Sequence, residues 1–395
     1  MQTKFNASGI AQFLPLPLIY TFIAFDERFA ILLTAALVLA VLVVRPDRQH
    51  FDRRLAIFLI LSAQYPVLHL VKNTVLDVSE LQRVGASVTH PDLWLFAAMF
   101  IAIMAAYVIS TNQIGRWIAA TAPSVMLVTV LAQGFQYVTQ DRCRVTLWGN
   151  NVFDAPLLLT MLLLLWLAAK PRANSRTIAF LVALCIVSAA SFSGARGIFL
   201  AQMALFAGLF AFAIFKHVKI LRNGLLFGVV IGLSAAIAID FAFQCGFGAR
   251  ISAVAQSVES VAAADGSANL RLIMWRTAME YIQTAPLFGH GIGAERLAGA
   301  LDHVHVHNMY LSWLIWGGIL SLTSGLLFLF SIVPAAIGQK RNPTKATLIA
   351  SMPIFFSLSM LFDSFLVWSN FNYAFIAFIM LGFAVLTEDQ AQEPV

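Results

Sequence analysis

The chain has 395 residues, of which 60% are hydrophobic and only 11% charged, with a mean hydropathy of +0.83. A water-soluble domain of that size offers no interior large enough for so much apolar surface, so composition excludes the soluble classes and leaves an integral membrane protein. The net charge of +6 would suit a nucleic-acid partner, but the basic residues are distributed as a topology signal and point to no nucleic acid.

In chain order, apolar runs of roughly 16 to 25 residues recur, each long enough to cross a hydrocarbon core as a helix, and they predict about twelve spans. The first run is divided from the second by Asp26, Glu27 and Arg28, without a small-residue cleavage pattern. It therefore reads as half of a helical hairpin and not as a signal peptide, with a cytoplasmic N-terminus. The connections "RPDRQHFDRR" (45–54), "KPRANSR" (170–176), "KHVKILRNG" (216–224) and "GQKRNPTK" (338–345) hold 13 of the 25 Lys and Arg against two acids. The positive-inside rule makes these cytoplasmic. Alternation then puts 72–92, 135–150, the turn near 191–197, the stretch 244–306 and the turn near 363–372 on the outer side.

Three cysteines are too few for a disulfide framework. Cys185 lies in an apolar run, while Cys143 and Cys245 share the outer side and could pair there only in an oxidising compartment. No linker, repeat or low-complexity tract divides the chain, so 1–395 reads as a single transmembrane domain with 244–306 as one long outer loop. A loop of about sixty residues is functional or disordered, and its composition argues for order.

Inside it, "SANLRLIMWRTAMEYIQTAP" predicts an amphipathic helix with Ser267 as N-cap, Leu272, Trp275, Met279 and Ile282 at helical spacing, and Pro286 ending the run. At 100° per residue Arg271 falls beside Trp275, Ala278 and Ile282, toward the membrane domain, while Arg276 pairs with Glu280 on the wet face. The following "PLFGHGIG" lacks the strand and helix that a nucleotide-binding loop needs. It reads as a flexible turn.

Two outer stretches carry the chemistry. In "SFSGARGIFLA" (191–201), Arg196 sits between two apolar runs, where an arginine marks a functional site or serves as a snorkelling anchor. The glycines and serines around it favour function. Arg196 and Arg271 together suit phosphate oxygens at the mouth of an apolar cavity, hence a lipid-linked substrate. In "HVHVHN" (303–308), His303, His305 and His307 crowd too closely for one metal ion, and no Cys or carboxylate cluster completes a site. One imidazole suffices as a general base, and His307, followed by Asn308 as orienting group or cap, is the first candidate, with His305 second. An inert polar rim is the bland alternative. Asp363 and the polar tail "TEDQAQEPV" are assigned no role.

Taken in order, "SFSGARGIFLA", "LRLIMWRTAMEYIQTAPLFGHGIG" and "HVHVHNMYLSWLIWGGILSL" resemble the O-antigen ligase and polymerase superfamily of bacterial envelope glycosyltransferases, over roughly residues 180–330. The resemblance implies an all-α polytopic protein of the inner membrane with a periplasm-facing active site. It implies transfer of a glycan from undecaprenyl pyrophosphate to an acceptor hydroxyl, without cofactor or metal. It also implies that Arg196 and Arg271 hold the pyrophosphate and that His307 activates the acceptor; the residues themselves add His305 and Asn308 as substrate-binding candidates. A ligase using a lipid A core acceptor is expected first, and a polymerase for O-antigen, exopolysaccharide or capsule second. A transporter of lipid-linked glycans would be expected to show broken helices or inverted repeats, and the sequence displays neither.

Overall fold

A computed structural model of the chain describes residues 114–139, 145, 154–170, 173–243, 266–291, 306–339 and 342–362, with scattered positions in 57–64 and 375–386. All secondary structure among them is helical: α1 Ile114–Thr139, α2 Asp154–Ala169, α3 Ser175–Val187 continuing into a π-helical turn Ser188–Phe192, α4 Arg196–Phe215, α5 Lys219–Phe243, α6 Gly266–Thr284, α7 Met309–Leu329, α8 Val333–Ile337 and α9 Pro343–Met360. Five helical segments here are long and apolar enough to cross a membrane: 118–139, 175–192, 196–215, 219–243 and 309–337. Two more of the expected spans are the shorter apolar helix α2 and the helix α9, while the remaining expected spans lie wholly or mostly outside the described residues, as do Cys143, Cys245, His303, His305 and Asp363.

The Leu-rich α2 occupies the centre, with Leu158, Leu162, Leu165 and Trp166 buried among α1, α3, α4 and α9. A helix apolar on every side needs such a position. One polar node crosses this core: Gln202 of α4 donates through Nε2 to Thr160 Oγ1 of α2 at 2.8 Å and to the Cys185 carbonyl of α3 at 3.3 Å.

Helices α3 and α5 run parallel, and their contact has a sequence cause. Gly224, Gly228 and Gly232 recur every fourth residue and face Ile178, Val182 and Ile186, which share that spacing. A Cβ on Gly228 would come within 2.6 Å of Val182 Cβ and 2.8 Å of the Ala179 carbonyl oxygen. Small residues four apart let two apolar helices approach backbone to backbone, and close packing then supplies the attraction that lipid cannot.

The helix directions sort the charges. Tyr137 at the end of α1 packs on Phe192 after α3 and on Phe243 at the end of α5. Arg196 opens α4 at this same end. Asn308, before α7, reaches the Leu361 carbonyl after α9. The described parts of the basic turns at 170–176, 216–222 and 338–345 join the opposite ends of these helices.

Candidate functional site

Arg196 is presented by an irregular stretch. After Val187 the α-helical ladder widens: the Ser193 amide bonds to the Ser188 carbonyl at 3.0 Å, and the Ala195 amide to the Ala189 carbonyl at 3.1 Å. Ser193 Oγ donates to the Ser188 carbonyl at 2.7 Å, and Gly194 turns the chain with φ +58°. Such π turns cost hydrogen-bond quality and occur disproportionately at functional sites. Arg196, half-buried, is the first residue of α4, and the N-cap residue Ala195 makes no side-chain cap hydrogen bond. A cation in the first turn opposes the helix dipole, whereas an anion there gains from dipole and guanidinium alike.

Three buried polar atoms near this turn have no hydrogen-bond partner among the described residues: Gln133 Nε2, Tyr137 Oη and Ser191 Oγ. Gln133 uses only its Oε1, accepting from Ser188 Oγ at 2.7 Å. The stretch is tied outward by the Val145 amide, which donates to the Phe192 carbonyl at 2.8 Å.

His307 sits half-buried with φ +50°, a left-handed conformation uncommon for a non-glycine residue. Its neighbours hold it there. Asn308 caps α7, its Oδ1 accepting from the amides of Tyr310 at 3.0 Å and Leu311 at 3.2 Å, while its Nδ2 donates to the Leu361 carbonyl at 3.3 Å. Both ends of the Asn308 amide are thus engaged by protein. On the other side of His307, the Val306 carbonyl accepts from Trp275 Nε1 at 3.0 Å.

That hydrogen bond brings α6 to α7. Met274, Ala278 and Ile282 are buried, and Arg271 is half-buried on the same side as Trp275 and Ala278. Arg276 and Glu280 are exposed. The predicted face is corrected in part, because Leu272 and Met279 are each 47% exposed and Met274 takes the inward place. The helix also begins at Gly266, so Ser267 lies inside it and not at its cap.

The three candidate residues are joined through packing. Phe362 follows Leu361, and its side chain lies so close to Gly197 that a Cβ there would stand 2.3 Å from Phe362 Cβ. Gly197 adjoins Arg196. A connected path therefore runs from Arg196 through Phe362, Leu361 and Asn308 to His307, and through Val306 and Trp275 to the helix of Arg271.

Sequence reading missed how the loop docks. Helix α7 is broken at Gly317 (φ −138°, ψ 18°) and Gly318 (φ 61°, ψ −152°), an interruption that hydropathy did not reveal. The segment after α6 fills the break: the amides of His290 and Gly291 donate to the carbonyls of Ile315 at 2.7 Å and Trp316 at 2.9 Å, and the Ile319 amide donates to the Pro286 carbonyl at 2.9 Å. The expectation of a flexible turn at "PLFGHGIG" gives way to a docked one, and amides already given to α7 cannot cradle a phosphate. The paired glycines of "WGGIL" and the alternating glycines of "GHGIG" were the available signals. Among the described residues no group of three or more His, Cys, Asp or Glu could hold a metal ion.

No curated protein matches the chain. Residues 181–326, from within α3 to within α7 and so including Arg196, Arg271, His307 and the docked turn, match the family model described as O-antigen ligase. Over that segment the chain is similar to the O-antigen ligase family, which supports the resemblance to the O-antigen ligase and polymerase superfamily.

Proposed function

We propose that this protein transfers a glycan from undecaprenyl pyrophosphate to an acceptor hydroxyl on the periplasmic face of the bacterial inner membrane, with a lipid A core as acceptor. The observation that carries the reading is Arg196 at the start of α4, linked by packed residues to the strained His307 and to the helix of Arg271. Arg196 and Arg271 hold the pyrophosphate, whose charge grows as its bond to the anomeric carbon breaks. The acceptor oxygen attacks that carbon from the opposite face, so its configuration inverts. His307 takes the acceptor proton, and the electron pair of the broken bond leaves with undecaprenyl pyrophosphate. No metal or other cofactor enters this scheme, and His305 lies beside the substrate in it.

A polymerase uses the same donor and differs only in its acceptor, so size of product separates the two. In a host lacking the gene, a ligase leaves long chains stranded on the carrier, whereas a polymerase leaves single repeats there and one-repeat caps on the surface lipid. His307→Ala and Arg271→Ala should fold, reach the membrane and fail to complement. Wild-type transfer by either removes that residue from the mechanism, and unchanged carrier and surface fractions in the deletion remove lipopolysaccharide as the pathway.

The break in α7 bears on a second reading, a carrier of lipid-linked glycans, because transporters build ion sites from interrupted helices. Here the groups exposed by the break are hydrogen-bonded to the backbone of 286–291. That use of the break favours transfer over transport.

A further inference from the structure

The mechanism leaves two described histidines unused, the exposed His217 and His290, and the ring of His290 is engaged by its neighbours. His290 is half-buried in the turn that fills the α7 break. Its ring stacks on Tyr281 of α6, centroids 3.8 Å apart with the planes 21° from parallel. Its Nε2 lies 3.0 Å from the Tyr281 carbonyl oxygen and 3.0 Å from Thr284 Oγ1. The Thr284 hydroxyl spends its own proton on that same carbonyl at 2.7 Å. Both atoms near Nε2 therefore present lone pairs, which assigns the ring proton to Nε2. Tyr281 is in the last turn of α6 and its carbonyl accepts from the ring, so the ring caps α6. The backbone amide of the same residue donates to Ile315 on the first half of α7.

Thus one residue grips two helices, by its ring and by its main chain. The hold is exacting in shape: a Cβ on Gly289 would lie 2.5 Å from the Gly317 nitrogen, and one on Gly318 would lie 2.3 Å from the Leu287 carbonyl carbon. A second attachment lies nearer the start of α7, where Trp275 bonds to Val306. Two attachments separated along α6 fix its rotation as well as its distance. Arg271 rides on α6, and His307 stands at the head of the half-helix that His290 holds.

We propose that His290 is a positioning residue for glycan transfer: by clasping the C-terminus of α6 to the broken α7, it sets Arg271 in register with His307. The proposal rests on the transferase reading above. Misplacing reacting groups by about an ångström costs on the order of a hundredfold in rate, so the loss falls on kcat more than on KM.

The test uses the full chain in lipid nanodiscs, with purified undecaprenyl-pyrophosphate-linked glycan and lipid A core as substrates, and compares His290→Ala, His290→Gln and His290→Phe. Glutamine places an amide N–H close to where Nε2–H stands. Phenylalanine keeps the stack and drops the ring hydrogen bonds. In parallel, nitroxide labels at Arg276→Cys and Leu320→Cys, in a background without Cys143, Cys185 and Cys245, report the distance between α6 and α7 by pulsed electron resonance. The expected result is a narrow distribution and near-normal kcat in wild type and His290→Gln, with a broadened distribution and at least a tenfold lower kcat in His290→Ala. If His290→Ala does not purify as a folded protein, His290→Phe against His290→Gln makes the same comparison. Wild-type kcat in His290→Ala overturns the proposal. So does loss of transfer in His290→Gln with the distribution still narrow, since the ring would then act on substrate. A wild-type protein that transfers nothing refutes the transferase reading, whereas an unbroadened distribution in His290→Ala refutes the clasp itself.

Discussion

Replacing Gly318 by alanine tests the docking of the loop on α7 most directly. The residue has φ 61° and ψ −152°, a region nearly reserved for glycine, and holding an alanine there costs about 1–3 kcal/mol. Its new methyl would also stand 2.3 Å from the Leu287 carbonyl carbon and 2.5 Å from the Pro286 oxygen. These are backbone atoms, so relief requires the turn to lift off. Lifting it breaks the three hydrogen bonds of His290, Gly291 and Ile319 across the break. At about 0.5–1.5 kcal/mol net for each bond, strain and lost bonds together come to about 2.5–7.5 kcal/mol. Gly208 is the control, because a Cβ there meets nothing within 4 Å on an exposed face of α4. Alanine at that position should be neutral or stabilise by up to about 1 kcal/mol. Thermal unfolding in detergent, followed by tryptophan fluorescence because Trp275, Trp313 and Trp316 all lie on α6 and α7, reads the difference. Equal melting temperatures for Gly318→Ala and Gly208→Ala would refute the reasoning.

Three other outcomes are expected. Asn308→Ala removes the α7 cap, at about 1 kcal/mol, together with the bond to Leu361; denaturant unfolding should show the loss, and complementation should fall with it. Gly228→Leu forces α3 from α5 where a Cβ already meets Val182, and a thermal shift corresponding to about 1–3 kcal/mol or more should follow. His307→Gly relieves the positive φ and should gain about 1 kcal/mol in an unfolding assay while abolishing transfer. A less stable His307→Gly protein would show that the histidine is held there for packing.

Much of the candidate site was legible because charge is rare in this chain. An arginine among apolar runs, with serine and glycine around it, stands out as Arg196 does, and the spacing of Arg271, Trp275, Ala278 and Ile282 already put them on one side of a helix. What spacing could not settle was the width of that face. Leu272 and Met274 are both apolar, yet only Met274 is buried, since the choice depends on the angle at which α6 meets α7 through Trp275. Asn308 was readable as cap or orienting group, and only the position of Leu361, 53 residues away in the chain, shows that its amide is engaged at both ends.

The sequence by itself determined that the chain is a helical membrane protein, that its basic turns gather at one end, and that a few polar residues stand apart from the apolar background. Composition and period suffice for these, because an unpaired backbone group or a charge in hydrocarbon is costly whatever the fold. Only the tertiary structure decided which apolar surfaces are interior and where a helix breaks. Lipid and protein core are alike in polarity, so hydropathy does not separate the buried α2 from the largely exposed faces of α5. Likewise Gly317 and Gly318 can continue a helix or end one, and the hydrogen bonds from Pro286, His290 and Gly291 decide between the two.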